Sequence, residues 1–274
     1  MNQKILYNIC IQKRGGNILG KAIAIFNQKG GVGKTTTNIN LAACLALKGK
    51  KVLVLDIDPQ GNTTSGLGIA KKGLEDTVYN VLVDADYDIR EAVIHTDVEN
   101  LDIIPASVDL AGAEVELVQI EGREKVLKNS LDKIKDGYDY MFIDCPPSLG
   151  LLTINSLAAV DSVLIPIQCE FYALEGVSQL VSTIDLVKKS LNPSLEVQGV
   201  ILSMFDGRTN LSAQVVQEVK RYFGGKVYST VIPRNVRLAE APSYGLPITE
   251  YDPKSKGAEA YMEFAEEFLE LEEE

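Results

Sequence analysis

The four cysteines of this 274-residue chain, Cys10, Cys44, Cys145 and Cys169, stand far apart and form no CxxC pair. That spacing indicates neither a zinc site nor a disulfide framework. They read instead as small buried hydrophobes in a reducing compartment. No apolar run approaches the roughly 18 to 20 residues of a membrane span, and the piece Leu6 to Ile11 is too short for a signal-peptide core. A cytoplasmic location is expected. No Pro, Gly or Ser-rich linker divides residues 21–274 and no internal repeat is visible, which argues against a string of modules. Basic residues are in deficit, 27 against 38 acidic ones, for a net charge of −11. Seven of those carboxylates fall within the last twelve residues, so the first 262 carry only −4. Between Val200 and Glu240 the balance reverses: Arg208, Lys220, Arg221, Lys226, Arg234 and Arg237 face Asp206, Glu218 and Glu240. The acidic total therefore does not exclude a local basic patch.

An apolar content of 46% with 24% charged residues is that of a globular chain with a sizeable core and excludes intrinsic disorder. From Lys21 onward, apolar runs of strand length alternate with helical stretches. The runs are Ala22 to Phe26, Val52 to Leu55, Leu101 to Pro105, Tyr138 to Asp144, Ser162 to Ile167 and Val197 to Phe205. Helices are expected over Lys34 to Leu47, around Ala111 to Lys135, near Leu174 to Leu191, over Asn210 to Phe223 and from Lys256 to Leu271. This alternation predicts a single-domain α/β fold, a mostly parallel twisted sheet with helices on both faces. Residues 1–20 lack the pattern and read as an N-terminal extension. If Lys13 to Gly16 is encoded by a purine-rich ribosome-binding site, Leu19 is the true start and the extension is untranslated; a short genuine arm is the other reading.

The segment Lys29-Gly30-Gly31-Val32-Gly33-Lys34-Thr35-Thr36 follows a predicted strand and opens a predicted helix, the context a phosphate-binding P-loop requires. Its glycines let successive N–H groups converge on phosphate oxygens at the positive end of the helix. Lys34 is then placed for the β and γ phosphates of ATP, and the Thr35 hydroxyl for Mg2+. The strict pattern has glycine six residues before the lysine; here that position is Gln28, and Lys29 sits just inside the loop.

This KGGVGKT form resembles the deviant Walker A motif of the family that includes ParA, Soj, MinD and the nitrogenase iron protein. The resemblance implies that Lys29 reaches across a dimer interface to the partner's nucleotide; on its own residue type it is an exposed charge beside a ligand. Asp56-Ile57-Asp58-Pro59-Gln60-Gly61-Asn62 narrows the likeness to ParA and Soj and implies that Asp58 positions the attacking water. Asp56 is open between a functional and a turn-forming role. The strand ending at Asp144 is similar to a Walker B element, implying a carboxylate that holds the Mg2+ shell through water; the following Cys145-Pro146-Pro147-Ser148 would be a switch loop. The stretches Pro166 to Gly176 and Val231 to Ser243 extend the likeness over residues 21–265. They imply that Pro233 and Asn235 lie against adenine, although IPRN by itself is only a polar turn.

Relatives of this kind divide by what they bind. A MinD-like basic amphipathic tail is absent, since the chain ends EFAEEFLELEEE, which anionic lipid repels. Cysteines placed for a bridging cluster are absent too, and twenty residues cannot hold a helix-turn-helix domain. The resemblance to Soj implies an ATP-dependent homodimer that binds DNA without sequence preference through Arg208 and Arg234, with Lys220, Arg221 and Arg237 as helpers or as a solvated face. It also implies slow hydrolysis stimulated by a ParB or Spo0J-like protein, and a nucleoid-associated location without membrane. Two alternatives stand beside it: a MinD-like positioning switch without DNA, and a metabolic ligase of the dethiobiotin synthetase type.

Overall fold

The computed structural model describes residues 20–170 and 173–273. The proposed extension therefore lies, apart from Gly20, outside the described residues. In chain order the strands are β1 (Lys21–Ile25), β2 (Val52–Asp56), β3 (Ile94–His95), β4 (Leu101–Ile104), β5 (Tyr140–Asp144), β6 (Ser162–Gln168), β7 (Glu196–Phe205) and β8 (Val227–Pro233). The α-helices are α1 (Lys34–Leu47), α2 (Asn62–Gly66), α3 (Val78–Val83), α4 (Leu110–Leu117), α5 (Val126–Leu131), α6 (Leu151–Ala159), α7 (Ala173–Ser190), α8 (Asn210–Phe223), α9 (Val236–Glu240), α10 (Ile248–Tyr251) and α11 (Lys256–Glu273).

The eight strands form one sheet in the order β3-β4-β2-β5-β1-β6-β7-β8. Every pairing is parallel except that of β3 with β4. Successive residues of the central strands feed opposite cores, which is why these strands read as continuous apolar runs. Ala22, Ala24, Leu53, Leu55, Met141 and Ile143 join one core beneath α4 to α8. Ile23, Ile25, Val54 and Phe142 join the other, with Leu41 and Leu45 of α1 and Tyr261, Phe264 and Phe268 of α11. Phe268 is fully buried and meets Tyr140 edge-on, ring centroids 5.4 Å apart. Burying one such ring stabilises the fold by about 1.5–3 kcal/mol, so the acidic C-terminal helix is anchored by its apolar face.

The α/β prediction holds, with one correction. The helix expected around Ala111 to Lys135 is instead α4, a 3-10 turn at Arg123–Lys125, α5, and another such turn at Lys135–Gly137. The helix already stops at Leu117, and Gly122, whose φ of 71° is left-handed, keeps it from running on into Arg123. The strand β3 and the helices α2, α3, α6, α9 and α10 were not expected.

Candidate active site

All parallel strands end on one edge of the sheet, and the loop from β1 to α1 crosses that edge at its centre. Gly31 and Gly33 take φ values of 74° and 91°, conformations that Cβ-bearing residues rarely adopt, so the loop turns where the sequence placed glycine. Two braces hold it. Asn27 donates from Nδ2 to the Pro166 carbonyl at 2.8 Å and accepts the Lys29 N–H at 2.9 Å, tying the loop to β6. Ser203 of β7 donates from Oγ to the Val32 carbonyl at 2.7 Å. Gln28, where the strict motif has glycine, instead reaches Thr183 of α7, Nε2 to Oγ1 at 2.7 Å. Lys34 is buried, and its Nζ donates to the Lys29 carbonyl at 3.1 Å. Burial lowers its pKa, opposed by the nearby carboxylates Asp144 and Asp58.

Three carboxylates face this loop from β2 and β5, and their surroundings separate their roles. Asp56 and Asp144 are register partners on adjacent strands, both buried. Oδ2 of Asp144 accepts from the Thr35 hydroxyl and the Thr63 hydroxyl, each at 2.7 Å, while its buried Oδ1 has no partner. Oδ2 of Asp56 accepts both the N–H and the hydroxyl of Thr64 at 2.7 Å, and that hydroxyl in turn accepts the Ala106 N–H at 2.9 Å. Asp56 is thus committed to holding α2 against the sheet. Burial pushes both carboxyls above the usual range, and for Asp56 the charge of Asp144 adds to the effect. Asp58, at the start of the next loop, accepts the Gln60 N–H at 2.9 Å. Cys145 is no nucleophile here: burial pushes its thiol up to about 12.

The Thr35 hydroxyl and the unpartnered Asp144 oxygen are hard donors at the mouth of a phosphate-binding loop. They suit Mg2+, which takes one or two protein oxygens and completes its shell with water and phosphate. Gly30 and Gly31 have open space where a side chain would stand, leaving the loop's backbone accessible to a ligand. Thr36 follows in the first turn of α1, its carbonyl accepting from Asn40 Nδ2 at 2.7 Å. Lys29 is half-buried and lines a small cleft of about 20 Å3 with Gln168 and Val177.

The expected outer residues share the same edge, at the ends of β7 and β8. Pro233 closes β8 beside Phe205, and Asn235 caps α9 by accepting the Arg237 N–H at 2.8 Å. No hydrogen bond or ion pair joins either to the phosphate loop among the described residues. Arg208 holds Asp206 with two bonds, Nε to Oδ1 at 2.9 Å and Nη2 to Oδ2 at 2.7 Å, which keeps that carboxyl down at about 2. Arg234 meets Glu170 at 3.0 Å, and Arg237 meets Glu240 at 2.8 Å and Asp252 at 3.4 Å. The Pro166 to Gly176 stretch is only partly visible, since Phe171 and Tyr172 lie outside the described residues. Sequence reasoning missed Ser203, Thr63 and Glu170, each of which acts through a partner remote in the chain, and Thr64, whose partner Asp56 lies eight residues away.

Residues 20–197 match the family model described as an AAA domain. Sporulation initiation inhibitor protein Soj of Bacillus subtilis (strain 168) is 63% identical over 249 residues, covering 91% of this chain and 98% of the relative. Chromosome partitioning protein ParA of Myxococcus xanthus (strain DK1622) is 54% identical over 94% of this chain and 90% of its own length. Among solved structures, cobyrinic acid a,c-diamide synthase of Mycobacterium smegmatis with bound ADP and magnesium shares 40% identity with a TM-score of 0.79, covering 90% of this chain and 93% of that one. The septum site-determining protein MinD of Pyrococcus horikoshii OT3, complexed with Mg-ADP, shares 28% identity and a TM-score of 0.76 over 92% of this chain and 97% of that one. On its deviant phosphate loop, its three carboxylates and these similarities, the chain belongs to the Soj and ParA family of P-loop proteins.

Proposed function

We propose that this chain is a chromosome- or plasmid-partitioning ATPase whose nucleotide state controls dimerisation and DNA binding. It hydrolyses ATP to ADP and phosphate with Mg2+. The observation that carries this reading is the meeting of Thr35 with Asp144 at 2.7 Å beside an unpartnered Asp144 oxygen, directly under the phosphate loop. The N–H groups from Gly30 to Thr36 cradle the phosphates, and Lys34 leaves the Lys29 carbonyl for the β and γ oxygens. Thr35 and, through water, Asp144 hold Mg2+, which when bound neutralises phosphate charge as the γ-phosphoryl group is transferred. Asp58 orients the attacking water. Lys29, at the open face of the loop, completes the nucleotide site of a second subunit. Pro233 and Asn235 border the adenine, and Arg208 and Arg234 contact DNA phosphates once two subunits have joined.

Hydrolysis then dissolves the dimer. Among the described residues no arginine stands at the phosphate loop to stabilise the transition state, which supports slow turnover until a ParB or Spo0J-like protein stimulates it. Among the described residues no helix is long and apolar enough to cross a membrane, and α11 spends its apolar face on the core, which supports a nucleoid rather than a membrane destination.

Two variants test this. Lys34→Ala is expected to lose stable ATP binding, dimerisation and DNA binding together, and unchanged ATP affinity would remove the phosphate-loop assignment. Asp58→Ala is expected to bind ATP, hydrolyse it poorly and accumulate as a dimer; sedimentation with ATP that finds only monomer defeats its role. The likeness to a cobyrinic acid a,c-diamide synthase structure favours a second reading, a small-molecule ligase. Phosphate release that depends on such a substrate and ignores DNA and protein partners would select it.

A further inference from the structure

A large concavity among the described residues lies away from the phosphate loop. It lies on the opposite edge of the sheet, where β2, β4 and β5 begin and β3 ends, and encloses about 750 Å3, within the size range of small-molecule sites. We propose that it is a second binding site, for a phosphate-bearing anion of up to nucleotide size.

The distribution of spent and unspent charge carries the argument. Lys51 and Lys133 both line the concavity, and neither ammonium has an ion-pair or hydrogen-bond partner among the described residues. The carboxylate best placed to neutralise them, Asp102, is already engaged. Its Oδ1 lies 2.6 Å from His95 Nδ1 and its Oδ2 accepts the Tyr138 hydroxyl at 2.8 Å. Arg90 acts as a brace, with Nη1 on Asp88 and Nη2 on the Lys133 carbonyl at 2.9 Å, fixing the segment that carries the lysine. Asp136 is the one lining carboxylate with no hydrogen-bond or ion-pair partner among the described residues; Asp88, held by Arg90, also acts on Lys133 from beside the concavity, and the two ammonium groups still outnumber the one unpaired lining carboxylate. An anion held between two lysines makes charge-assisted hydrogen bonds to both. Ile134 and Tyr138 give the same wall an apolar and aromatic surface on which a base or sugar can lie.

A neighbouring concavity of about 650 Å3 on the same edge makes the contrast plain. There Lys21 is bound to Glu272 at 2.7 Å, Gln198 donates to the same carboxylate, and Asp161 is held by Lys135. Among the described residues its one unpaired lysine, Lys226, is matched by one unpaired carboxylate, Glu196, whereas the first concavity has two unpaired lysines against Asp136 alone among its lining residues.

The test is calorimetric titration of the full chain at low ionic strength, with ADP and Mg2+ saturating the phosphate loop. Inorganic phosphate and uridine 5′-monophosphate are added in separate runs. Binding at one site per chain is expected. The double variant Lys51→Ala with Lys133→Ala is expected to weaken it by about tenfold or more, and Lys188→Ala with Lys189→Ala, the same charge loss on α7, to leave it unchanged. Tighter binding of the nucleotide than of phosphate assigns the site to nucleotides; equal binding assigns it to the phosphate group alone. Absence of binding, indifference to the first pair, or equal weakening by the second pair overturns the proposal.

Discussion

Asp56 and Asp144 share a residue type, a strand end and a register, yet the threonines around them give them different work. Both oxygens of Asp56 are occupied by Thr64 and the Asp58 N–H, whereas Asp144 keeps one oxygen without a partner. The sequence left Asp56 open between function and structure because both readings require the same carboxylate after the same apolar strand. Only Thr64, eight residues on, decides between them. A second residue-scale consequence concerns His95, the single histidine of the chain. Its hydrogen bond to Asp102, helped by that carboxylate's charge, raises its pKa above the usual 6.5. A histidine raised in the folded state contributes stability that is complete below about 6.5 and lost as pH rises through the raised value. Proton NMR of the imidazole should therefore give a midpoint above that of an unfolded control, and Asp102→Asn should bring the two together. A wild-type midpoint at or below the control would show that the pair is not formed.

At the scale of elements, the phosphate loop depends on strands it never touches in sequence. Ser203 lies two strands away from β1 and donates to the Val32 carbonyl from a fully formed part of β7. Ser203→Ala removes that donor and leaves a buried carbonyl unpaired, at about 1–2 kcal/mol. Much of that loss should fall on the loop's readiness to receive phosphate, so nucleotide affinity should drop by about five- to twentyfold while α1 and the sheet survive. Equilibrium binding of a fluorescent ATP analogue, with circular dichroism as the check on folding, measures it. Legibility at this scale followed distance in the chain. The β1 strand, the glycine loop and α1 were readable because strand, turn and helix signals adjoin one another. The central strands were readable because a strand buried on both faces is an unbroken apolar run. The α4 to α5 region was not, because Gly122 resembles a tolerated helix glycine until its φ is known. Nor were β3, a two-residue edge strand, and α2, a single turn, both too short for periodicity to register. Ser203 and Glu170 carry no local signal; only the fold brings them to Val32 and Arg234.

At the scale of the whole molecule, the terminal glutamates from Glu263 to Glu273 and the basic residues beyond β7 and β8 turn out to be segregated. Along α11, Glu267 accepts the N–H groups of Ser229 and Thr230 within β8, and Glu272 meets Lys21 where β1 begins. The acidic end therefore runs toward the edge opposite Arg208 and Arg234, so if those arginines hold DNA as proposed, its repulsion there would be screened by distance as well as by salt. The carboxylates that matter are the near ones. Asp206 and Glu170 already hold the two arginines, so under the proposed role a DNA phosphate would have to share or displace them. Arg208→Ala and Arg234→Ala are expected to weaken binding evenly across unrelated duplexes, each flattening the slope of log affinity against log salt by about one unit. Asp206→Asn and Glu170→Gln should act in the opposite direction, strengthening binding by freeing a guanidinium without adding a contact. Neutralising Glu270 and Glu273 should leave the slope unaltered. Titration of the ATP-bound protein with duplexes of different sequence at several salt concentrations reads all of these at once. If the arginine variants bind as tightly as the wild type while the tail variant binds more tightly, DNA lies on the other edge and the assignment of Arg208 and Arg234 fails.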